Sequence, residues 1–349
     1  MNAIKVWVVS WLLITSGNAI SEEFVKPEAK LAPGMAVPGA IDLPHWFKNS
    51  FLDVRDDVVE AEKSGRRLML YFYQDGCPYC KKLIQTNFAI KNLEDKTRSV
   101  LDVVAINMWG DREVVDVDGQ RLTEKAYAAK MRVMFTPTLL FFNEKAGVML
   151  RINGYYEPKR FNAVLDYVGK KLEQRQEFRE YLAQQVKETG TAGLAKEAYF
   201  MKPPLQLAQA LKNNKPLLVL FEQADCPPCG ELHSDVLKRA ETKSHLQKFN
   251  VAQVDMWANS ELIDPQGKKV TMQDWAKVLD IKYAPSIVMF DQNGVEVFRT
   301  EAYLKSFHVQ SSLDYVASGA YVKEPSFQRF IEARADGLRK RGVTVDLMN

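Results

Sequence analysis

Apolar residues along the chain gather into short runs that recur in the same order in each half. Residues 68–73 and 217–221 are unbroken apolar or aromatic runs bounded by polar residues. Their length and lack of alternation predict buried strands. A helical stretch follows each run (81–88; 231–238), then a second strand (100–106; 249–254). After a longer connection, an X-Pro step leads into a third strand (138–142; 286–290). Gly147 and Gly294 mark turns before a fourth strand, and an amphipathic helix closes each unit (160–168; 310–316). Strands alternating with helices predict an α/β fold.

The correspondence between the halves is residue by residue. Cys77 matches Cys226 at an offset of 149. Asn107-Met108-Trp109 matches Asp255-Met256-Trp257 at 148, and Thr136-Pro137-Thr138 matches Ala284-Pro285-Ser286 at 148. Leu165-Asp166-Tyr167-Val168 matches Leu313-Asp314-Tyr315-Val316 at 148, and Phe178 matches Phe327 at 149. Order and spacing kept over this length indicate a tandem duplication with small indels. The organisation expected is a signal peptide (1–19), an extended lead-in (20–44), a first domain (45–185), a linker (186–204) and a second domain (205–349). Pro27, Pro33, Pro38 and Pro44 set the lead-in apart; Gly190, Gly193, Pro203 and Pro204 do the same for the linker.

Composition narrows the function classes. The chain has 349 residues, 46% hydrophobic and 26% charged, within the range of soluble globular proteins. A net charge of +3, from 47 basic and 44 acidic residues, argues against nucleic acid as a partner. At the N-terminus, Met1 and Lys5 precede the apolar run 6–14, and Gly17-Asn18-Ala19 supplies small residues for a signal peptidase. The run is far shorter than the ~20 residues a membrane span needs. The expected location is an exported, thiol-oxidising space, a bacterial periplasm. All four cysteines fall in two pairs, Cys77-Pro78-Tyr79-Cys80 and Cys226-Pro227-Pro228-Cys229. None remains for a structural disulfide, so these thiols are there to react.

A C-x-x-C opening a helix has a physical rationale. The helix N-terminus offers N–H groups and partial positive charge, which favour a thiolate on the first cysteine. The second cysteine, one turn on, can resolve a mixed disulfide. Each pair follows a buried strand and is followed about 60 residues later by the X-Pro step.

With these motifs the chain resembles the thioredoxin superfamily, and more closely the exported thioredoxin-related proteins of bacteria, including those linked to sulfur-oxidation operons. The resemblance rests on Asp75-Gly76-Cys77-Pro78-Tyr79-Cys80, Phe135-Thr136-Pro137-Thr138-Leu139 and Gly154-Tyr155. In the second half it rests on Cys226-Pro227-Pro228-Cys229 and Tyr283-Ala284-Pro285-Ser286. It implies an α/β chain of two tandem thioredoxin-like domains, each a central mixed β-sheet flanked by helices, and a thiol–disulfide oxidoreductase, reductase or isomerase, acting on protein thiols and disulfides. A membrane redox partner is expected, with no cofactor and no metal. It further implies that Cys77 and Cys226 are nucleophiles and that Cys80 and Cys229 resolve. Thr136-Pro137 and Ala284-Pro285 would supply a cis proline facing each disulfide and a preceding residue that contacts substrate backbone.

The sequence departs from the cytosolic thioredoxins. Their Trp before the first cysteine is replaced by Gly76 and Asp225, and their buried Asp six residues before it by Tyr71 and Leu220. Glu222 is a candidate substitute acid, but its place at a strand end favours a surface carboxylate. His233, one turn after Cys229, reads as a half-buried helical histidine; its counterpart is Ile84. His45, His245 and His308 carry no assigned role. Lys81 and Lys82 after Cys80, against Asp225 and Glu231 around the second pair, predict the lower thiol pKa at Cys77.

Rival chemistries use the same cysteines. A zinc site with four thiolate ligands would have to join two knuckles separated by 145 residues. Covalent haem is excluded because Lys81 and Gly230, not His, follow the pairs. Copper binding by soft thiolates, or a non-catalytic partner-binding module, is the alternative function. Each half also carries an insertion before the X-Pro step, with a turn at Asp116-Val117-Asp118-Gly119 or Asp264-Pro265-Gln266-Gly267. A small hairpin and a helix (123–130; 271–279) are expected there. Trp109 and Trp257, in these insertions, have two open readings: lining a partner groove, or packing the insertion onto the body.

Overall fold

Strands whose residues are apolar at every position need cover on both faces, and that requirement organises each half of this molecule. The computed structural model describes residues 39–185, 193–301 and 304–345. The expected signal peptide, the lead-in up to residue 38 and residues 186–192 of the expected linker lie outside the described residues. Among the described residues no helix is long and apolar enough to cross a membrane.

The first domain runs α1 (Val54–Lys63), β1 (Arg67–Tyr73), α2 (Pro78–Lys82), α3 (Lys91–Val100), β2 (Leu101–Asn107), the hairpin β3 (Glu113–Val115) and β4 (Arg121–Thr123), α4 (Glu124–Lys130), β5 (Thr138–Phe142), β6 (Val148–Asn153), α5 (Pro158–Gly169) and α6 (Phe178–Gln185). The second repeats it: β7 (Leu205–Gln206), α7 (Leu207–Ala210), β8 (Leu217–Glu222), α8 (Pro227–Glu231), α9 (Ala240–Leu246), β9 (Asn250–Asp255), β10 (Glu261–Ile263), β11 (Lys269–Thr271), α10 (Met272–Val278), β12 (Ser286–Phe290), β13 (Glu296–Thr300), α11 (Ser306–Ala317), α12 (Ala320–Lys323) and α13 (Phe327–Lys340). The two third strands coincide with the stretches expected from the sequence. Other boundaries move by a few residues, as with α5, which starts at Pro158 because proline is pre-set for a first helical turn.

The sheets have the orders β2-β1-β5-β6 and β9-β8-β12-β13, with the first pair parallel and the rest antiparallel. On one face of the first sheet, Leu68, Leu70 and Phe72 pack with α1 and α4 residues such as Val58 and Tyr127. On the other, Met69, Tyr71, Leu139 and Phe141 pack with Leu83, Leu93 and Phe161. This second core is continuous with its equivalent in the second domain through Phe135 against Phe298 (6.2 Å between rings) and Tyr156 against Tyr283 (5.1 Å). Such aromatic pairs add ~0.5–1.5 kcal/mol each beyond the area they bury.

The domains meet through equivalent positions. Asn153 and Glu301 occupy the same place in the two copies, and Asn153 Nδ2 donates to Glu301 Oε2 at 3.2 Å. Self-pairing of that kind implies an approximate two-fold axis between the domains. The insertions form the expected hairpins and helices, with Thr123 and Thr271 capping α4 and α10 through their hydroxyls.

Candidate active site

The two C-x-x-C pairs sit at equivalent points, where β1 and β8 end and α2 and α8 begin. Each first cysteine is the N-cap of its helix and each following proline fills the first helical position. Cys77 Sγ accepts the Cys80 backbone N–H at 3.0 Å, and Cys226 Sγ accepts that of Cys229 at 3.2 Å. The sulfur therefore lies where helix N–H groups converge, which favours negative charge on it. Both pairs are disulfides, Cys77–Cys80 and Cys226–Cys229. The residue before each pair has positive φ, Gly76 at 75° and Asp225 at 53°. Glycine meets that turn without a Cβ penalty, and aspartate is among the side chains that tolerate it.

The X-Pro steps come to the same place. Thr136-Pro137 and Ala284-Pro285 are cis peptide bonds. Cys77 Sγ lies 3.4 Å from the Thr136 carbonyl oxygen, and Cys226 Sγ lies 3.6 Å from that of Ala284. The structure thus brings together, in each domain, all four residues singled out from the sequence: two cysteines, the cis proline and the residue before it. A cleft of about 370 Å³ opens beside the first disulfide, lined by Gly39, Ile41, Cys77, Pro78, Lys81 and Ile84. One wall is the end of the lead-in, held where Gly76 N–H donates to the Gly39 carbonyl at 2.6 Å and Ile41 N–H to Asp75 Oδ1 at 3.2 Å.

The acids and histidines differ from expectation. Tyr71, in the place of the usual buried acid, donates its hydroxyl to the Cys80 carbonyl at 3.3 Å, and burial pushes its pKa far up. Glu222, expected on the surface, is 1% exposed. Its Oε1 is 2.8 Å from His233 Nε2, and its Oε2 accepts from Gln253 Nε2 at 2.6 Å. The strand end is covered because the helical segment after Cys229 folds back over it, bringing His233 onto the carboxylate. His233 is itself buried rather than half-buried, with the Phe200 ring edge-on at 5.9 Å. No equivalent group exists in the first domain, where Tyr73 and Ile84 stand at these positions. The charges that set the sequence expectation for Cys77 are also redistributed. Lys82 sits over the Tyr155 ring at 4.7 Å, and Glu231 pairs with Lys305 at 3.1 Å.

The insertion tryptophans pack on the core of their own domain and also reach the other domain. Trp109 Nε1 donates to Gln74 (2.8 Å), Gln74 in turn donates to Gln328, and the Arg329 guanidinium lies 5.3 Å from the Trp109 ring. In the mirror arrangement Trp257 Nε1 donates to Gln223 (2.9 Å) and Arg179 lies 4.4 Å from the ring. Sequence reasoning missed the contacts that cross the domain boundary at the sites themselves. Tyr79, within the first motif, accepts the Lys305 backbone N–H at 2.9 Å and packs edge-on to His308 at 5.1 Å. Arg160 lies over the Tyr283 ring at 4.3 Å with Nη1 3.5 Å from the Ala284 carbonyl oxygen. Neither pairing has any local signal, since the partners are more than 120 residues apart.

Comparison with known proteins agrees with this geometry. A family model for a thioredoxin-like domain matches twice, at residues 54–169 and 203–317. No curated protein matches the chain. Solved structures similar to it include a thioredoxin-fold protein from Helicobacter pylori, at 16% identity and TM-score 0.33, covering 40% of this chain and 88% of the other. A thioredoxin from Thermus thermophilus is similar at 23% identity and TM-score 0.26, covering 33% and 83%. A protein disulfide oxidoreductase from Aeropyrum pernix has 16% identity and TM-score 0.23, covering 79% and 97%. The family model reaches the domain family and not the sulfur-oxidation-linked branch. The two matches span well over half of the sequence, each enclosing one C-x-x-C pair and one cis proline, and the chain belongs to the thioredoxin-like domain family.

Proposed function

We propose that this protein is a thiol–disulfide oxidoreductase that exchanges electrons with protein thiols and disulfides at both sites, as a reductase or isomerase in the periplasm. The observation that carries the reading is the placement of each first cysteine. Its sulfur caps a helix and lies against the carbonyl that precedes a cis proline, in both domains. A helix N-terminus favours the thiolate form of that sulfur.

In the reducing direction, the Cys77 or Cys226 thiolate attacks one sulfur of a partner disulfide. A mixed disulfide forms and one partner thiolate leaves. The thiolate of Cys80 or Cys229 then attacks the first cysteine's sulfur and expels the second partner thiolate. Two electrons pass from the pair to the partner, and the pair closes into the disulfide described above. The Thr136 and Ala284 backbone would align the partner strand. A pair that has been oxidised needs a fresh supply of electrons, so the reductase form of the reading includes a membrane redox partner.

The test is exchange with glutathione by protein in which one pair is changed to serine. Cys77→Ser with Cys80→Ser should leave the second pair cycling, and Cys226→Ser with Cys229→Ser the first. Cysteine variants that lose Cu(I) binding while leaving thiol exchange at zero would instead favour the metal-binding alternative.

A further inference from the structure

The second site is completed by a side chain from the first domain. Arg160 lies in the first turn of α5 and is 7% exposed. Its Nη1 is 3.5 Å from the Ala284 carbonyl oxygen, and the same oxygen is 3.6 Å from Cys226 Sγ. Cation and sulfur, touching one atom, are therefore within about 7 Å of each other. The equivalent position in the second domain, at offset 148, is His308 in the first turn of α11. It packs against Tyr79 of the first motif, and its Nδ1 is sealed from water without a hydrogen-bond partner among the described residues. Burial pushes its pKa down to about 4, so the ring is neutral at pH 7. The approximate two-fold axis thus sets a permanent cation at one site and an uncharged ring at the other.

We infer that Arg160 is a positioning residue of the second site, acting across the domain boundary to favour the Cys226 thiolate and to fix the Ala284 carbonyl beside it. This rests on the thiol–disulfide reading given above. The other ionisable groups on the elements around Cys226 are Asp225 next to it in the chain, Glu222 with His233, Glu231 with Lys305, Asp235 with Arg239, Asp280 with Lys282 before the X-Pro step, and Arg179, which lines one cavity with Arg160, Lys282 and Ala284. The carboxylates oppose the thiolate, and Arg160 opposes them. Tyr283 holds the guanidinium in place: its ring lies under the planar fork, an arrangement for which arginine is better shaped than lysine.

The experiment uses full-length protein carrying Cys77→Ser, Cys80→Ser and Cys229→Ser, so that Cys226 is the one thiol. Its alkylation rate by iodoacetamide is followed against pH with Arg160, Arg160→Lys and Arg160→Gln. A unit charge at about 7 Å, at an effective dielectric constant near 20, moves a pKa by roughly one to two units. Arg160→Gln should raise the Cys226 pKa by that amount and slow alkylation by about ten- to a hundredfold at pH values well below the wild-type pKa. Arg160→Lys should stay within about half a unit of wild type. The complementary protein with Cys77 as its one thiol should not respond to either change.

Three outcomes overturn the inference: a Cys226 profile unmoved in Arg160→Gln, a Lys variant shifted as far as the Gln variant, or an equal shift at Cys77. If Arg160→Gln does not fold, Arg160→Met, which keeps the apolar stem and removes the charge, takes its place in the same comparison with the same expected shift. Failure of the functional reading looks different. There the intact Cys226–Cys229 pair does not exchange with glutathione, whatever the titration gives.

Discussion

Replacing Glu222 with alanine takes a carboxylate from the bottom of the second site, and its cost follows from the partners it leaves. The side chain is 1% exposed and accepts from Gln253 at 2.6 Å and lies 2.8 Å from His233 Nε2. His233 Nδ1 already has no partner among the described residues, so the variant strands both ring nitrogens in a buried place. A buried polar group without a partner costs ~1–3 kcal/mol, and breaking a buried polar pair by deleting one member costs ~3–5 kcal/mol. We expect Glu222→Ala to lower stability by about 3–4 kcal/mol, read from the shift of the urea midpoint. Glu222→Gln keeps the volume and one acceptor, which can serve His233 or Gln253 but not both. It should cost about 1–2 kcal/mol. His233→Leu combined with Glu222→Leu replaces the pair by apolar groups and should recover most of the loss, because the one group left without its partner, the Gln253 amide, is only half-buried. A Glu222→Ala midpoint within about 0.5 kcal/mol of wild type would refute the reasoning, since it would mean that the group is hydrated or unpaired.

His308 supplies a pH dependence. Its folded pKa is about 4, below the unfolded value of 6.5, because burial disfavours the charged ring. The neutral ring is the one that folding accommodates, so the contribution is complete above pH 6.5 and is lost as pH falls from 6.5 towards 4. The loss is up to about 3 kcal/mol, and His308→Phe should lack that component when stabilities at pH 7 and pH 4.5 are compared. Equal slopes for variant and wild type would count against it. Trp109→Ala and Trp257→Ala each remove an indole hydrogen bond and an arginine contact between domains. Each should cost about 2–3 kcal/mol in thermal or urea unfolding, with the glutathione equilibria of both pairs unchanged. A changed equilibrium with unchanged stability would return these residues to a partner groove.

The parts of this structure that were legible in the sequence share a local cause. The strands at 138–142 and 286–290 are apolar at nearly every position and bounded by a proline and a turn, so pattern alone located them. The cysteine pairs and X-Pro steps declared themselves because the repeat showed them twice at one spacing. Glu222 was misjudged because a strand end is usually wet. What covers it is His233, delivered by the helical segment after Cys229, and that closure depends on three-dimensional packing. Trp109 and Trp257 could not be resolved because part of their packing, against Arg329 and Arg179, comes from the opposite domain. Lys81 and Lys82 argued for Cys77 from sequence proximity, while Arg160 reaches the loop beside Cys226 from 124 residues away. A duplicated fold that closes on itself hides its most informative contacts from any reading that stays within one copy.

The central claim is that both C-x-x-C pairs are working redox couples, and the measurement that tests it most directly is an equilibrium titration of each pair in glutathione buffers with the other pair changed to serine. The account predicts that each pair opens and closes as a two-electron couple, a tenfold change in ratio for every ~30 mV. The midpoints should fall between about −270 mV, the thioredoxin range, and about −120 mV, that of strong periplasmic oxidants. Pairs that stay closed or stay open across the whole buffer range would contradict it.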